Sequence, residues 1–388
     1  MNIFIKRLIN NMCMLFFFLY MISYNIFSYK SNTVIISEII LICFLALVGV
    51  YILINKSIHI GIFSILLLLY LIWSSITNFW AINQQVALVR LITIFQLSIV
   101  SFFIYNYFDS KEKISKAIYY ITLSYTILAI YTIYKYGLGS ILSGDISRRI
   151  GSDISQENVL GMALALGAIL CFYRSFYLSK KIYYLPSMLL FILSSFTGSR
   201  KALIIVVLGS VFLVILKNGT KKMFKTTVGI IIIMIILFLI LNIPAFDMVL
   251  QRFSGLIGGE KMDASSVERI NMIKDGWMFF LKKPIIGYGL DCFRDLGYGT
   301  YSHNNYIEIL INGGVISFIL FYNIYLYCIL KLIKQMRKRD KIATILIILI
   351  FMQLIRDFAE VSYYSKILYI NFAIYFAYID VMKNKDIQ

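Results

Sequence analysis

Twelve apolar blocks of 15 to 25 residues, separated by short polar connections, run through this chain. A helix rises about 1.5 Å per residue and bilayer hydrocarbon is about 30 Å thick, so blocks of this size have the length of membrane crossings. They cover residues 12–28, 34–54, 58–79, 86–108, 114–134 and 159–177, then 182–196, 202–216, 226–243, 306–330, 342–362 and 367–381. No period-two alternation accompanies them. That excludes a barrel and leaves a helical bundle, the other architecture that satisfies every backbone group in lipid. The expected fold is an all-α membrane protein, a polytopic bundle of about twelve transmembrane helices. The seventh and eighth blocks are short, and a re-entrant hairpin would give the same pattern.

Composition agrees with this reading. Of 388 residues 60% are hydrophobic and 14% charged, and the mean hydropathy is +0.83. A soluble chain of this size has no interior large enough for so much apolar surface. The formal net charge of +18 would suggest nucleic acid in a soluble protein. Here the excess sits in short loops: with the N-terminus inside, inner segments carry 21 Lys and Arg and outer segments 14. The asymmetry follows the positive-inside rule and puts both termini in the cytoplasm of a bacterial inner-membrane protein, with no nucleic-acid partner. The five cysteines form no CxxC pair. Lys6 and Arg7 precede an apolar run as in a signal peptide, but no small-x-small cleavage site follows, so a retained first span is expected.

Residues 1–388 read as one polytopic domain, with one large extracytoplasmic loop at 244–305. Inside the loop Ile270, Ile273, Trp277 and Phe280 recur at helical spacing, with Ser265 or Ser266 to cap the start and Pro284 to stop it. Trp277 and Phe279–Phe280 suggest a short helix lying on the membrane interface.

Ionisable side chains within a bilayer are costly and are functional candidates by default. Glu38, Arg90, Arg356, Asp357 and Glu360 stand out, each in the outer half of its block. Arg356 and Glu360 are one helical turn apart and can pair; a purely structural ion pair is the preferred reading for Glu38. Outer loops add Arg148-Arg149-Ile150-Gly151 with Gln156-Glu157-Asn158, then Ser199-Arg200-Lys201, Glu268-Arg269 and Ser302-His303-Asn304-Asn305. Of the two histidines, His59 falls at an inner helix start and His303 at the outer start of the tenth block.

Arginine binds phosphate oxygens bidentately and keeps its charge. Histidine suits removal of a proton from an attacking hydroxyl. No nucleotide-sugar pool exists outside the cytoplasm, so the activated donor that fits such a site is a polyprenyl diphosphate, and the chemistry is glycosyl transfer. No DxD occurs, and Asp291 and Asp295 are isolated, so neither a metal nor another cofactor is expected. There is no GxSxG, and Gly287-Tyr288-Gly289 opens no βαβ unit.

From Arg148 to Gly314 the chain resembles the O-antigen ligase and Wzy-type polysaccharide polymerase superfamily. The ordered motifs are Arg149, Gly151 and Asn158; Ser199-Arg200; Arg269 with the run Trp277…Pro284-x-x-Gly287-x-Gly289; and His303-Asn304 followed by Gly314. The last position of the ligase pattern is Ser317, a departure from Gly, Thr or Tyr. The resemblance implies a metal-independent, inverting transfer from an undecaprenyl-diphosphate-linked oligosaccharide. Arg200 and Arg269 would hold the diphosphate and His303 would activate the acceptor hydroxyl. Arg149, Arg90, Arg356, Asn304 and Asn158 would contact substrate. A flippase and a chain-length regulator of the same pathway are the implied protein partners. Polymerisation of O-antigen or capsular repeats is the first reading, ligation of a finished glycan to lipid A core or protein the second, and transport or lipid flipping a third.

Overall fold

The computed structural model describes residues 3–29, 32–56, 58–143, 150–218 and 264–387. Every regular element among them is helical. These are α1 (Ile3–Phe27), α2 (Val34–Asn55), α3 (Ile62–Thr77), α4 (Gln84–Tyr107), α5 (Lys111–Tyr136), α6 (Leu138–Ser143), α7 (Glu157–Phe172), α8 (Tyr184–Phe196), α9 (Arg200–Asn218), α10 (Ala264–Lys282), α11 (Asn305–Arg337), α12 (Lys341–Asp357) and α13 (Lys366–Ile387). Among the described residues, α1–α5, α7, α9 and α11 are long and apolar enough to cross a membrane. The chain is an all-α polytopic membrane protein. The ninth apolar block, residues 226–243, and positions 244–263 of the long loop lie outside the described residues.

Polar residues at the block edges set the helix starts. Asn83, Ser110 and Asp340 each accept hydrogen bonds from first-turn N–H groups of α4, α5 and α12. Outward-facing Ile35, Ile39, Ile42 and Leu53 make α2 apolar on its exposed side too, as a lipid-facing helix requires. α1 packs on α2 and α5, α7 on α8 and α9, α13 on α4, and α11 on α3, α10 and α12.

Three boundaries differ from the sequence reading. α8 has 13 residues, fewer than a crossing needs. α12 stops at Asp357 rather than 362, because Ser362 N–H and Tyr363 N–H bond to Asn305 Oδ1 (2.8 and 3.0 Å) instead of continuing the helix. The interfacial segment is helical, as α10, but its buried stripe is Met272, Gly276 and Phe280; Ile270 and Trp277 (47% exposed) face outward.

The fourth difference organises the end of the bundle where α11 begins. α11 is broken at Gly313 (φ −138°, ψ 21°) and Gly314 (φ 67°, ψ −165°). The segment after Pro284 fills the break with its own backbone. Tyr288 N–H donates to Ile311 O (2.8 Å), Gly289 N–H to Asn312 O (2.8 Å), and Val315 N–H to Pro284 O (2.8 Å). Trp73 Nε1 donates to Gly313 O (3.0 Å). The peptide groups freed by the break are thus bonded, where an unpaired buried group costs about 1–3 kcal/mol. Both sides must be bare for the backbones to meet. A Cβ on Gly314 would collide with Ile285 O, and one on Gly287 (φ 66°) with Ile311 O. Gly314→Ala is expected to lower the thermal unfolding midpoint sharply, since the left-handed φ alone costs on the order of 1–3 kcal/mol. An unchanged midpoint in detergent would contradict the seam.

Candidate functional site

The break makes residues 305–312 a short helix of their own, and His303 stands at its head. Asn304 is the N-cap: its Oδ1 accepts from Ile307 N–H (3.0 Å), and its Nδ2 donates to Phe358 O (3.1 Å). Asn305 reaches the same turn, taking Ser362 and Tyr363 N–H on its carbonyl oxygen. Together they tie the start of α11 to the connection after α12. Expected to contact substrate, Asn304 spends its side chain on this backbone.

His303 has a left-handed backbone (φ 56°) and its ring packs against Tyr301, with centroids 4.4 Å apart. No hydrogen bond joins its ring to another described residue. Burial, then the positive fields of Arg269 and Lys201, push its pKa down from 6.5 to about 4. The imidazole is therefore neutral at physiological pH, with a lone pair free to accept a proton. Arg269 comes from α10 and Lys201 from the first turn of α9, where its ammonium donates to Ala359 O. Sequence reasoning expected Arg200, Arg269 and His303 to converge. The structure puts His303 within the electrostatic field of Arg269, and the second cation acting on the imidazole is Lys201. Arg200, half-buried, opens α9 one residue earlier. Lys201 was visible beside Arg200 but carried no motif of its own.

The remaining candidates divide by partner. Arg90 donates to Asp291 Oδ2 (2.8 Å) and stacks on the Tyr364 ring (3.6 Å). Arg294 binds the same carboxylate (3.0 Å), so Arg90 bolts the long loop to α4. Arg356 pairs with Glu360 (3.1 Å), as their spacing predicted, although Glu360 lies past the helix end. This pair lines a cavity of about 300 Å³ with Tyr24, Tyr29, Tyr125 and Tyr364. Asp357 is buried without a cation, held by Gln353 Nε2 (2.8 Å), Ser362 Oγ (2.7 Å) and Tyr322 OH (3.2 Å). Glu38 pairs with Lys366, the structural role preferred for it. Asn158 lies in the first turn of α7, and Arg149 lies outside the described residues. Just before α3, His59 faces Asp380 (3.6 Å). Among the described residues no cluster of three His, Cys, Asp or Glu side chains is arranged to hold a metal ion.

These features define a helical membrane protein with a cationic, histidine-bearing corner beside a broken helix. Residues 185–322, from α8 into α11, match the family model Wzy_C, described as O-Antigen ligase. The match supports the O-antigen ligase/Wzy superfamily for this chain. No curated protein matches it.

A variant with His59→Gln leaves His303 as the only histidine. Its imidazole should titrate near pH 4 by NMR, and a midpoint near 6.5 would contradict the placement of Arg269 and Lys201. The sign for stability follows. A folded-state pKa below the unfolded value means that the unfolded chain takes up the proton first, so this group's contribution is present above about pH 6.5 and is lost as pH falls toward 4.

Proposed function

We propose that this protein transfers glycan from an undecaprenyl-diphosphate-linked oligosaccharide at the outer leaflet of the bacterial inner membrane, joining O-antigen or capsular repeat units. The observation that carries the reading is a partly buried His303 at the head of α11, in the positive fields of Arg269 and Lys201 and within the segment that matches the O-antigen ligase family. Both termini then lie in the cytoplasm, as the charge asymmetry requires.

In this mechanism His303 takes the proton of the acceptor hydroxyl as its oxygen attacks the anomeric carbon. The anomeric C–O bond to the diphosphate breaks, and the leaving oxygens gain negative charge against Arg269, Lys201 and Arg200. Direct displacement inverts the anomeric centre and calls for no metal. An imidazole with a pKa near 4 is by itself a weak base. A bound diphosphate offsets the cations that depress it and strengthens the base once the donor is seated.

Two measurements test this. Deletion of the gene followed by a gel of surface glycan should leave single-repeat products. Free polymer with bare core would indicate a ligase, and unaltered glycan would reject both readings. In a reaction of purified protein with a lipid-linked oligosaccharide, His303→Ala should lower kcat about 10²–10⁴-fold, the usual worth of general-base assistance. The acid limb of kcat, which reports the donor-bound enzyme, should lie at higher pH than that of kcat/KM, which reports the free enzyme. Coincident limbs would remove the diphosphate from the neighbourhood of His303.

A further inference from the structure

Glu308 is a charge that the sequence reading passed over. It sits one turn into α11 and is 0% exposed. Its Oε2 accepts from Ser302 N–H (2.8 Å), with the Ser302 side chain also acting on the carboxyl, and its Oε1 has no hydrogen-bond partner among the described residues. Burying a carboxyl with an unpaired oxygen costs stability, and an apolar side chain would pack there at less cost. The contact obtained for that cost is with the residue immediately before His303.

The contact belongs to a closed set. Ser302 Oγ donates to Asn304 O (2.9 Å) and accepts from Asn304 N–H (3.3 Å), and Asn304 in turn caps α11 through Ile307 N–H. Residues 302 and 304 are thereby held on both sides of His303, whose left-handed φ of 56° is an uncommon conformation for a residue other than glycine. Without a fixed Ser302 the backbone at 303 is free to relax toward an ordinary φ, which would swing the imidazole away from Arg269 and Lys201.

We propose that Glu308 is the positioning residue that fixes His303, acting as a hydrogen-bond acceptor for Ser302 N–H. The inference rests on the reading of His303 as the base, and its test separates the two claims. It is made in a His59→Gln background. His59 faces Asp380 at the other end of α3 from Trp73, about 20 Å away along the helix. There diethyl pyrocarbonate modifies one histidine, and mass spectrometry reads the rate.

Glu308→Gln keeps an acceptor oxygen at the same reach and removes the charge. Glu308→Asp keeps the charge and withdraws the oxygen by one methylene. Glu308→Met keeps the packing and removes the oxygen. The Gln variant should stay within about threefold of the parent in kcat, KM and carbethoxylation rate. The Asp and Met variants should lose about 10²-fold in kcat, the usual effect of an ångström-scale misplacement, with KM nearly unchanged and the carbethoxylation rate altered severalfold. Their thermal midpoints identify any variant that fails to fold, and the Asp and Met arms serve independently of each other. Parental kcat and labelling rate in a folded Asp or Met variant would overturn the proposal. So would a Gln variant as impaired as Met, since that would make the charge the operative feature. If His303→Ala were fully active, the base reading would fail, and the labelling rates alone would still decide whether Glu308 positions the ring.

Discussion

Breaking a buried helix leaves peptide groups without partners, and the end of the bundle that holds His303 is arranged around bonding the groups freed at Gly313–Gly314. The run from Pro284 to Gly289 supplies them: two N–H groups for the carbonyls of Ile311 and Asn312, and one carbonyl for Val315 N–H. The approach is backbone to backbone, so Gly314 and Gly287 have no room for a Cβ. From this seam follow the separate helix 305–312, its Asn304 cap and the place of His303. The same strap is fastened on its far side, where Ile82 N–H donates to Tyr288 O (3.1 Å) and Arg90 binds Asp291.

The electrostatics of the corner follow from that placement. Burial, helped by the positive fields of Arg269 and Lys201, disfavours the protonated imidazole, and the same two cations attract an anion. A site that needs a neutral base next to a departing diphosphate gains both from one arrangement. Two further arginines are in ion pairs: Arg90 with Asp291, and Arg356 with Glu360 on the wall of the neighbouring cavity.

Much of the fold was legible in block lengths, because the bilayer sets them. The end of α12 was less so: the apolar block runs on to 362, and the Ser362 and Tyr363 N–H groups are taken by Asn305, 57 and 58 residues away in the chain. The break in α11 left a pair of glycines as its signal, and their meaning depends on a partner segment about 25 residues earlier. Within the candidate site, His303 and Arg269 were singled out by residue type and motif. Lys201 and Glu308 were not, because a lysine beside an arginine and a glutamate inside an apolar block differ from ordinary loop and edge residues only by what the fold brings against them. Arg90 stood out by its cost in the bilayer, and that cost turned out to be met by Asp291, a residue 201 positions away.

The central claim is that the corner formed by His303, Arg269 and Lys201 receives a lipid-linked diphosphate. The most direct measurement is a cryo-electron microscopy structure of the full chain with a non-transferable phosphonate analogue of an undecaprenyl-diphosphate-linked saccharide. The account expects the anionic oxygens within hydrogen-bonding distance of Arg269 and Lys201, with the anomeric carbon facing the His303 ring. Density for the two anionic groups in the Arg356–Glu360 cavity, or at the inner end of the bundle, would contradict it.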